Sequence, residues 1–372
     1  MTTISDVLEN FDYARKPIKA QDRTPGRTPY LGASGVVDYV DGYTHDGQFL
    51  CVSEDGENLR SRQVPIAWVQ DGKFWANNHL HVLGGVSFPR LKFYEAVVNS
   101  TNMAKFLTGS AQPKLSQKNL GQIPAGGLSH ELQEKVGGVL GALDAKASTN
   151  NLIVSRARNL ITATWTQACF GGRLVALDEV IETNPRVPGP VGDVAPYLGM
   201  SDIPEFGLIA AGWGERSPRG GARFLNGDTL MARITPCFEN GKMVFVDFLD
   251  QHLIGSGSTE YIVLRAKKGV PPLAAYAVAA GDRFRDFAAR YQEGTSGRQR
   301  VRASALNEFK MNWPIKSDLD DFGRLSSDLL DRAAAARNEN LYLEKIRNQL
   351  LPLLMSGKIT VADAESAVQE VH

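Results

Sequence analysis

Apolar residues along this chain follow two different periods. Over 128–165, Leu128, Leu132, Val136, Leu143, Ala147, Val154, Ile161 and Trp165 are separated by four or seven positions. Over 329–353, Leu329, Ala336, Leu343 and Leu350 hold a seven-residue spacing, with Ala333 and Ile346 between them and Leu353 three beyond the last. Both stretches carry the stripe of a long amphipathic helix. A helix of about 35 residues is roughly 50 Å long, and the two stretches are separated by a whole lobe of sequence. The pattern predicts an antiparallel coiled-coil pair, with spacer helices over 126–170 and 317–372. The plainer alternative is two ordinary bundle helices in one compact domain. Gly137, Gly138 and Gly141 each weaken the first helix by roughly 1 kcal/mol against Ala, unless they serve a close helix approach.

The remaining sequence, 1–125 and 171–316, has short β-type runs: Gln48–Ser53, Val64–Val69, Leu230–Ile234, Met243–Phe248 and Tyr261–Arg265. Asp-Gly and Asn-Gly pairs at 41–42, 46–47, 55–56, 71–72, 226–227 and 240–241 punctuate them. Such pairs favour turns that require positive φ. Helical stretches at Lys92–Phe106 and Leu273–Arg290 come late in each lobe, so the expected class is mixed α/β.

The two lobes also echo each other. Pro29-Tyr30-Leu31-Gly32 matches Pro196-Tyr197-Leu198-Gly199, and Ser5–Glu9 matches Asp178–Glu182. Asp46–Leu50 corresponds to Asn226–Leu230, and the segment 109–124 to 294–314. The helical stretches echo as well, Arg158-Asn159 against Arg347-Asn348. Five echoes in one order describe a duplicated unit, each copy a globular lobe followed by a helix.

Composition narrows the class. The chain has 372 residues, room for two domains, with 43% hydrophobic and 22% charged residues. No apolar run approaches the roughly 18 residues needed to cross a bilayer, and the first residues lack a signal-peptide pattern. Cys51, Cys169 and Cys237 are widely spaced, which suits reduced cysteines in a cytoplasmic protein. Net charge is zero, so any contact with nucleic acid must come from local basic patches or from partners.

The duplicated pattern resembles the specificity (S) subunits of type I restriction–modification systems over essentially the whole chain. The resemblance is carried by Arg15-Lys16-Pro17-Ile18 and TPYLGASGVVDYVDGY, by Phe74–Leu83, by GSAQPKLSQKNLGQIP and GDTLMARITPCFENGK, and by the ending Arg347–Ile359. It implies two target-recognition domains, each reading half of a split, asymmetric DNA site, with the helices setting the unread spacer. It also implies two methyltransferase subunits docked around the helices and motor-nuclease subunits joining them. S-adenosylmethionine, ATP and Mg would then belong to those partners, and no cofactor to this chain. The segment Gly294–Arg300 is more basic than its first-lobe counterpart, which implies unlike half-sites.

The chemistry of the residues points the same way. There is no GxxxxGK[ST] phosphate loop and no glycine-rich dinucleotide fingerprint. Asn184-Pro185-Arg186-Val187 lacks the Asn-Pro-Pro-aromatic pattern of adenine methyltransferases. The candidate DNA contacts are basic residues in glycine-rich loops: Lys16, Lys19, Arg23, Arg27, Lys114 and Lys118 in the first lobe, and Arg216, Arg219, Arg223, Arg298, Arg300 and Arg302 in the second. Guanidinium forks suit phosphates and guanine edges. His79 and His81 at i, i+2 read as hydrogen-bonding residues and not metal ligands, because no carboxylate or Cys lies at ligand spacing. Tyr30 and Tyr197 read as packing shared by the lobes, and Asp38, Asp41 and Asp46 as turn residues. Ser34 and Ser201 lack a matching base. Two other functions remain open: an enzyme using the His79/His81 region, and a DNA-binding scaffold without sequence selection.

Overall fold

The computed structural model describes residues 2–109, 112–189, 192–218, 220–295, 297–355 and 358–360. The chain divides into two units, one of residues 1–146 and 344–372, the other of residues 147–343. Each long helix therefore contributes one stretch to each unit. The first runs His130–Ala168 and the second Lys316–Met355.

In the first unit, a four-stranded sheet has the order Glu9–Asn10, Leu80–Gly84, Phe49–Ser53, Ala67–Gln70, antiparallel throughout. A second sheet orders Gly35–Val40, Pro25–Gly32, Lys73–Ala76, His45–Asp46, and its central pair is parallel, with Tyr30 opposite Trp75. The helix Phe88–Ser100 starts on a Ser87 cap that accepts from the Arg90 amide. Its residues 91–98 are all buried. Leu50, Val52, Leu91, Phe93, Tyr94 and Leu115 form the core, and Val136, Leu140 and Leu354 of the long helices close it.

The second unit repeats this plan. One sheet orders Ile181–Thr183, Tyr261–Ala266, Thr229–Ala232, Met243–Phe245. The other orders Gly214–Arg216, Ala195–Leu198, Gly255–Gly257, Ala222–Phe224, and again only the central pair is parallel. The late hairpins correspond too, Leu107–Thr108 with Lys114–Leu115 and Gln292–Glu293 with Arg300–Val301. The second unit adds one pair, Arg173–Ala176 with Lys310–Trp313. Duplication read from sequence echoes is thus duplication of topology.

All six glycines of the Asp-Gly and Asn-Gly pairs have positive φ. Predicted runs shift at their ends: Val64–Val69 becomes Ala67–Gln70, and Met243–Phe248 becomes Met243–Phe245. The stretch at 273–290 breaks at Gly281 into the helices Pro272–Ala280 and Asp282–Ala289. Asp38 and Asp46 lie in strands, with Asp41 alone of the three in a bend between them.

Within each unit the long helices run antiparallel. In the second, Asn150 meets Asn340 at 2.9 Å while Trp165 packs edge-on against Phe322 at 4.9 Å. In the first, Asp144 accepts from Arg347 at 3.1 Å. Asp144 also pairs with buried Lys92, which in turn binds Glu95. Gly137 has the close approach that its glycine permits: an added Cβ would lie 1.7 Å from the Pro89 carbonyl oxygen. The neighbour it meets is the helix Phe88–Ser100, not the other long helix.

Candidate nucleic-acid interface

Lys16 and Lys19 are exposed on the segment that leads into the strand Pro25–Gly32. That segment is laced to the neighbouring strand: Lys16 donates its amide to the Ala76 carbonyl, and Trp75 Nε1 donates to the Lys16 carbonyl at 2.6 Å. Arg23 is committed to its own lobe. It donates to Asp38 at 2.9 Å and to the Ile18 carbonyl at 3.3 Å, and its guanidinium stands 4.3 Å from the Tyr30 ring centroid. The Asp38 hydrogen bond raises the Arg23 pKa and lowers that of Asp38. Tyr30 is 1% exposed, so packing is its role, as expected of a residue shared by the lobes. Arg27 is exposed on the same strand. Beside it the hairpin strand Gly35–Val40 leaves Val36, Val37 and Tyr39 about half exposed.

Lys114 stands apart in sequence but reaches Arg15, and so the neighbourhood of Lys16, through Glu54. Glu54 accepts from Lys114 Nζ at 3.0 Å and from Arg15 at 2.6 Å, next to Lys16. Lys118 is exposed on the short helix Gln117–Gly121. Below these cations His81, 1% exposed, bonds Asp12 Oδ2 through Nδ1 at 2.6 Å and the Leu115 carbonyl through Nε2 at 2.8 Å. A carbonyl oxygen can only accept, so Nε2 donates to Leu115. Asp12 also accepts from the Val82 amide. Burial pushes the Asp12 carboxyl up, but the His81 hydrogen bond and charge, the Val82 amide and Arg15 outweigh it and hold it below its ordinary value. Glu54 is lowered in the same way, burial being outweighed by Arg15, Lys114 and His81. The two histidines separate: His79 precedes the strand and meets Asp55 at 2.7 Å. Carboxylates absent at ligand spacing in the sequence do approach both rings in space. Among the described residues, however, no cluster has the three ligands a metal site needs.

In the second unit Arg216 and Arg223 flank the parallel strand pair. Arg216 stands 4.3 Å from the Tyr197 ring centroid, repeating the Arg23–Tyr30 stack at the matching tyrosine. It differs from Arg23 in being exposed and in having no acceptor among the described residues. Arg223 donates to the Gly189 carbonyl at 3.1 Å. Arg219 lies outside the described residues. In the basic hairpin, Arg298 is exposed, while Arg300 grips Glu260 with Nε at 3.0 Å and Nη2 at 2.7 Å. The Arg300 hydrogen bonds depress the Glu260 carboxyl and raise Arg300. Arg302 pairs with Glu293 at 3.1 Å. Asn184 uses φ 50° to exchange hydrogen bonds with Val263, which gives the Asn-Pro dipeptide a role in the backbone of this lobe.

Sequence reasoning passed over Tyr39, and over Lys73 stacked at 4.6 Å on Tyr43. Exposed aromatics suit the stacking of bases, and the apolar residues Val36, Val37 and Tyr39 in a turn-flanked run were the available signal. It also passed over Ser256, whose hydroxyl is buried and unpartnered.

The first 125 residues match the family model of the type I restriction modification DNA specificity domain. The chain is 37% identical over 145 residues to the putative type I restriction enzyme specificity subunit S.HindORF215P of Haemophilus influenzae. That match covers 39% of this chain and 37% of the relative, just over a third of each. In fold, the chain is similar to the crystal structure of the S subunit of a type I restriction–modification system from M. genitalium. The likeness has a TM-score of 0.57 at 13% identity and covers 95% of this chain and 94% of that one. The resemblance read from the sequence is borne out by these matches, at the level of a domain in the first lobe and of the fold over both.

Proposed function

We propose that this chain is the DNA-reading subunit of a type I restriction–modification assembly, with each lobe reading one half of a split, asymmetric site. The observation that carries this is the duplication: two lobes of one topology, each closed by its own stretch of an antiparallel helix pair, with a DNA specificity domain matched over the first. Two copies of one reader suit two short words with an unread gap. The helices act as the ruler for that gap and as the dock for two methyltransferase subunits, which motor-nuclease subunits then join. Base methylation and cleavage, with S-adenosylmethionine, ATP and Mg, belong to those partners. This chain performs recognition and no catalysis.

Recognition divides by chemistry. Phosphate contacts set register, while a few groups at base edges specify. The exposed cations Lys16, Lys19, Arg27, Lys118 and Arg298 serve the first task. Arg23 and Arg302, each held by a carboxylate through Nη1, present guanidiniums in fixed orientations, as bidentate reading of guanine requires. Glu260, by contrast, already takes the Nε/Nη2 edge of Arg300 and steadies the hairpin.

The test is selection from random duplex DNA by this chain co-expressed with its neighbouring methyltransferase, followed by sequencing. Two short unlike words at one fixed spacing are expected. A continuous word overturns the two-lobe reading. Binding without any word, with a steep salt slope, favours a second reading, a non-selective DNA-binding scaffold. The exposed candidate cations that no acid holds among the described residues, Lys16, Lys19, Arg27, Lys118 and Arg298, are what favour that second reading.

A further inference from the structure

In the second unit a cleft of about 560 Å³ opens beside the parallel strand pair. Tyr197, Arg216, Ser217, Ser256, Gly257 and Ser258 line it, and among the described residues no carboxylate does. Glu215 precedes Arg216 on an exposed strand, and strand alternation turns its side chain to the opposite face. Arg216 supplies one full positive charge whose N–H edges are unclaimed among the described residues. Ser256 is 2% exposed, and its hydroxyl has no hydrogen-bond partner among the described residues. A buried polar group left unpaired is costly, and this one lines a cleft large enough for a ligand to complete it. Gly257 and Gly221 keep the backbone low: a Cβ on Gly221 would strike the Gly257 carbonyl at 2.0 Å.

From this geometry we propose that the cleft seats a phosphodiester of the nucleic-acid backbone, with Arg216 as its counter-charge and the Ser256 hydroxyl as a donor. The proposal rests on the DNA-reading function and deepens it. A base is the poorer fit. The Arg216 guanidinium lies over the Tyr197 ring and covers the face it stacks on, and the rest of the lining is mostly hydroxyl and backbone, the chemistry that phosphates take. The first lobe lacks an equivalent, because Arg23, over the matching Tyr30, is already bound to Asp38. This seat therefore belongs to the second lobe, while the first sets register through its exposed lysines and Arg27.

The experiment measures duplex affinity of the full chain against salt, for wild type, Arg216→Ala, Arg216→Lys and Ser256→Ala. Arg216→Ala is expected to weaken all sequences alike, by about tenfold, and to lower the salt slope by about one. Arg216→Lys keeps the slope, since the charge remains. Ser256→Ala weakens binding several-fold at an unchanged slope and folds as well as wild type, because the hydroxyl has no partner to lose. An unchanged slope in Arg216→Ala, with wild type binding duplex, overturns the seat and leaves the DNA-reading function standing. Loss confined to one base position overturns it as well and assigns Arg216 to base reading. Thermal shift with inorganic phosphate and with a nucleoside monophosphate separates the remaining source. If wild type binds no duplex but either probe raises its melting temperature through Arg216, the cleft holds a free phosphate ligand, and the backbone assignment and the DNA-reading function fail together.

Discussion

His81 shows how one buried side chain organises a binding surface. It ties Asp12, the strand Leu80–Gly84 and the hairpin at Leu115, while Glu54, 3.9 Å from its ring, holds Arg15 and Lys114 beneath exposed cations. The network has a definite pH signature. Asp12 and Glu54 have folded pKa values depressed below 3.8 and 4.5. Their contribution to stability is therefore fully present above those values and lost as pH falls through the lower folded ones. Urea unfolding of wild type and Asp12→Asn at fixed pH steps from 7 to 3 reads this directly. The two curves should lie apart at neutral pH, with the variant the less stable, and converge in acid. A constant gap between them would remove Asp12 from the acid response. The sequence marked His81 as a hydrogen-bonding residue but offered no view of its partners, because Asp12 and Leu115 reach it only through the sheet and the hairpin.

At the scale of elements, the glycines of the first long helix separate two effects that a sequence alone confounds. Gly137 lies against the Pro89 carbonyl, whereas Gly138 has nothing within 4 Å of an added Cβ. Alanine at either position gains up to about 1 kcal/mol of helix propensity. At Gly137 the new methyl meets backbone that has to move, an overpacking cost of about 1–3 kcal/mol. Gly138→Ala is thus expected to stabilise and Gly137→Ala to destabilise, as measured by denaturant midpoints. Equal stabilisation by both would show that the helix contact tolerates a side chain. The sequence made this approach legible as an option while leaving its partner hidden. The seam was legible where it was apolar: Val136, Leu143, Ile161 and Trp165 are all buried. It was not legible at Asn150, 1% exposed, which falls between Ala147 and Val154 at helical spacing but was passed over as polar. Leu132 erred in the other direction. It keeps the apolar period yet lies 41% exposed in the first turn, where Gln133 and Val136 face the core instead.

Across the whole molecule, the polar layer at Asn150 bears on the ruler that the DNA-reading function requires. Asn150 donates to Glu339 at 2.8 Å and to Asn340 at 2.9 Å, and Asn340 donates to Asn151 at 2.9 Å. A slip of one helix along the other breaks this set and buries unpaired amides, whereas an all-apolar seam re-forms after a slip at little cost. A single buried polar layer fixes register at some expense of stability, and a ruler needs one register more than it needs stability. The spacer should follow helix length in consequence. Removing about seven residues from 329–354 shortens a helix by roughly 10 Å, about three base pairs at 3.4 Å each. Cut together with seven facing residues of the first long helix, so that the pair still closes, the deletion is expected to move the selected words about three base pairs closer. Cut alone, it leaves one helix without its partner positions and should abolish assembly, read as loss of co-purified methyltransferase. Selection sequencing of the double deletion decides the matter, for unchanged spacing in an assembled complex would mean that something other than these helices measures the gap.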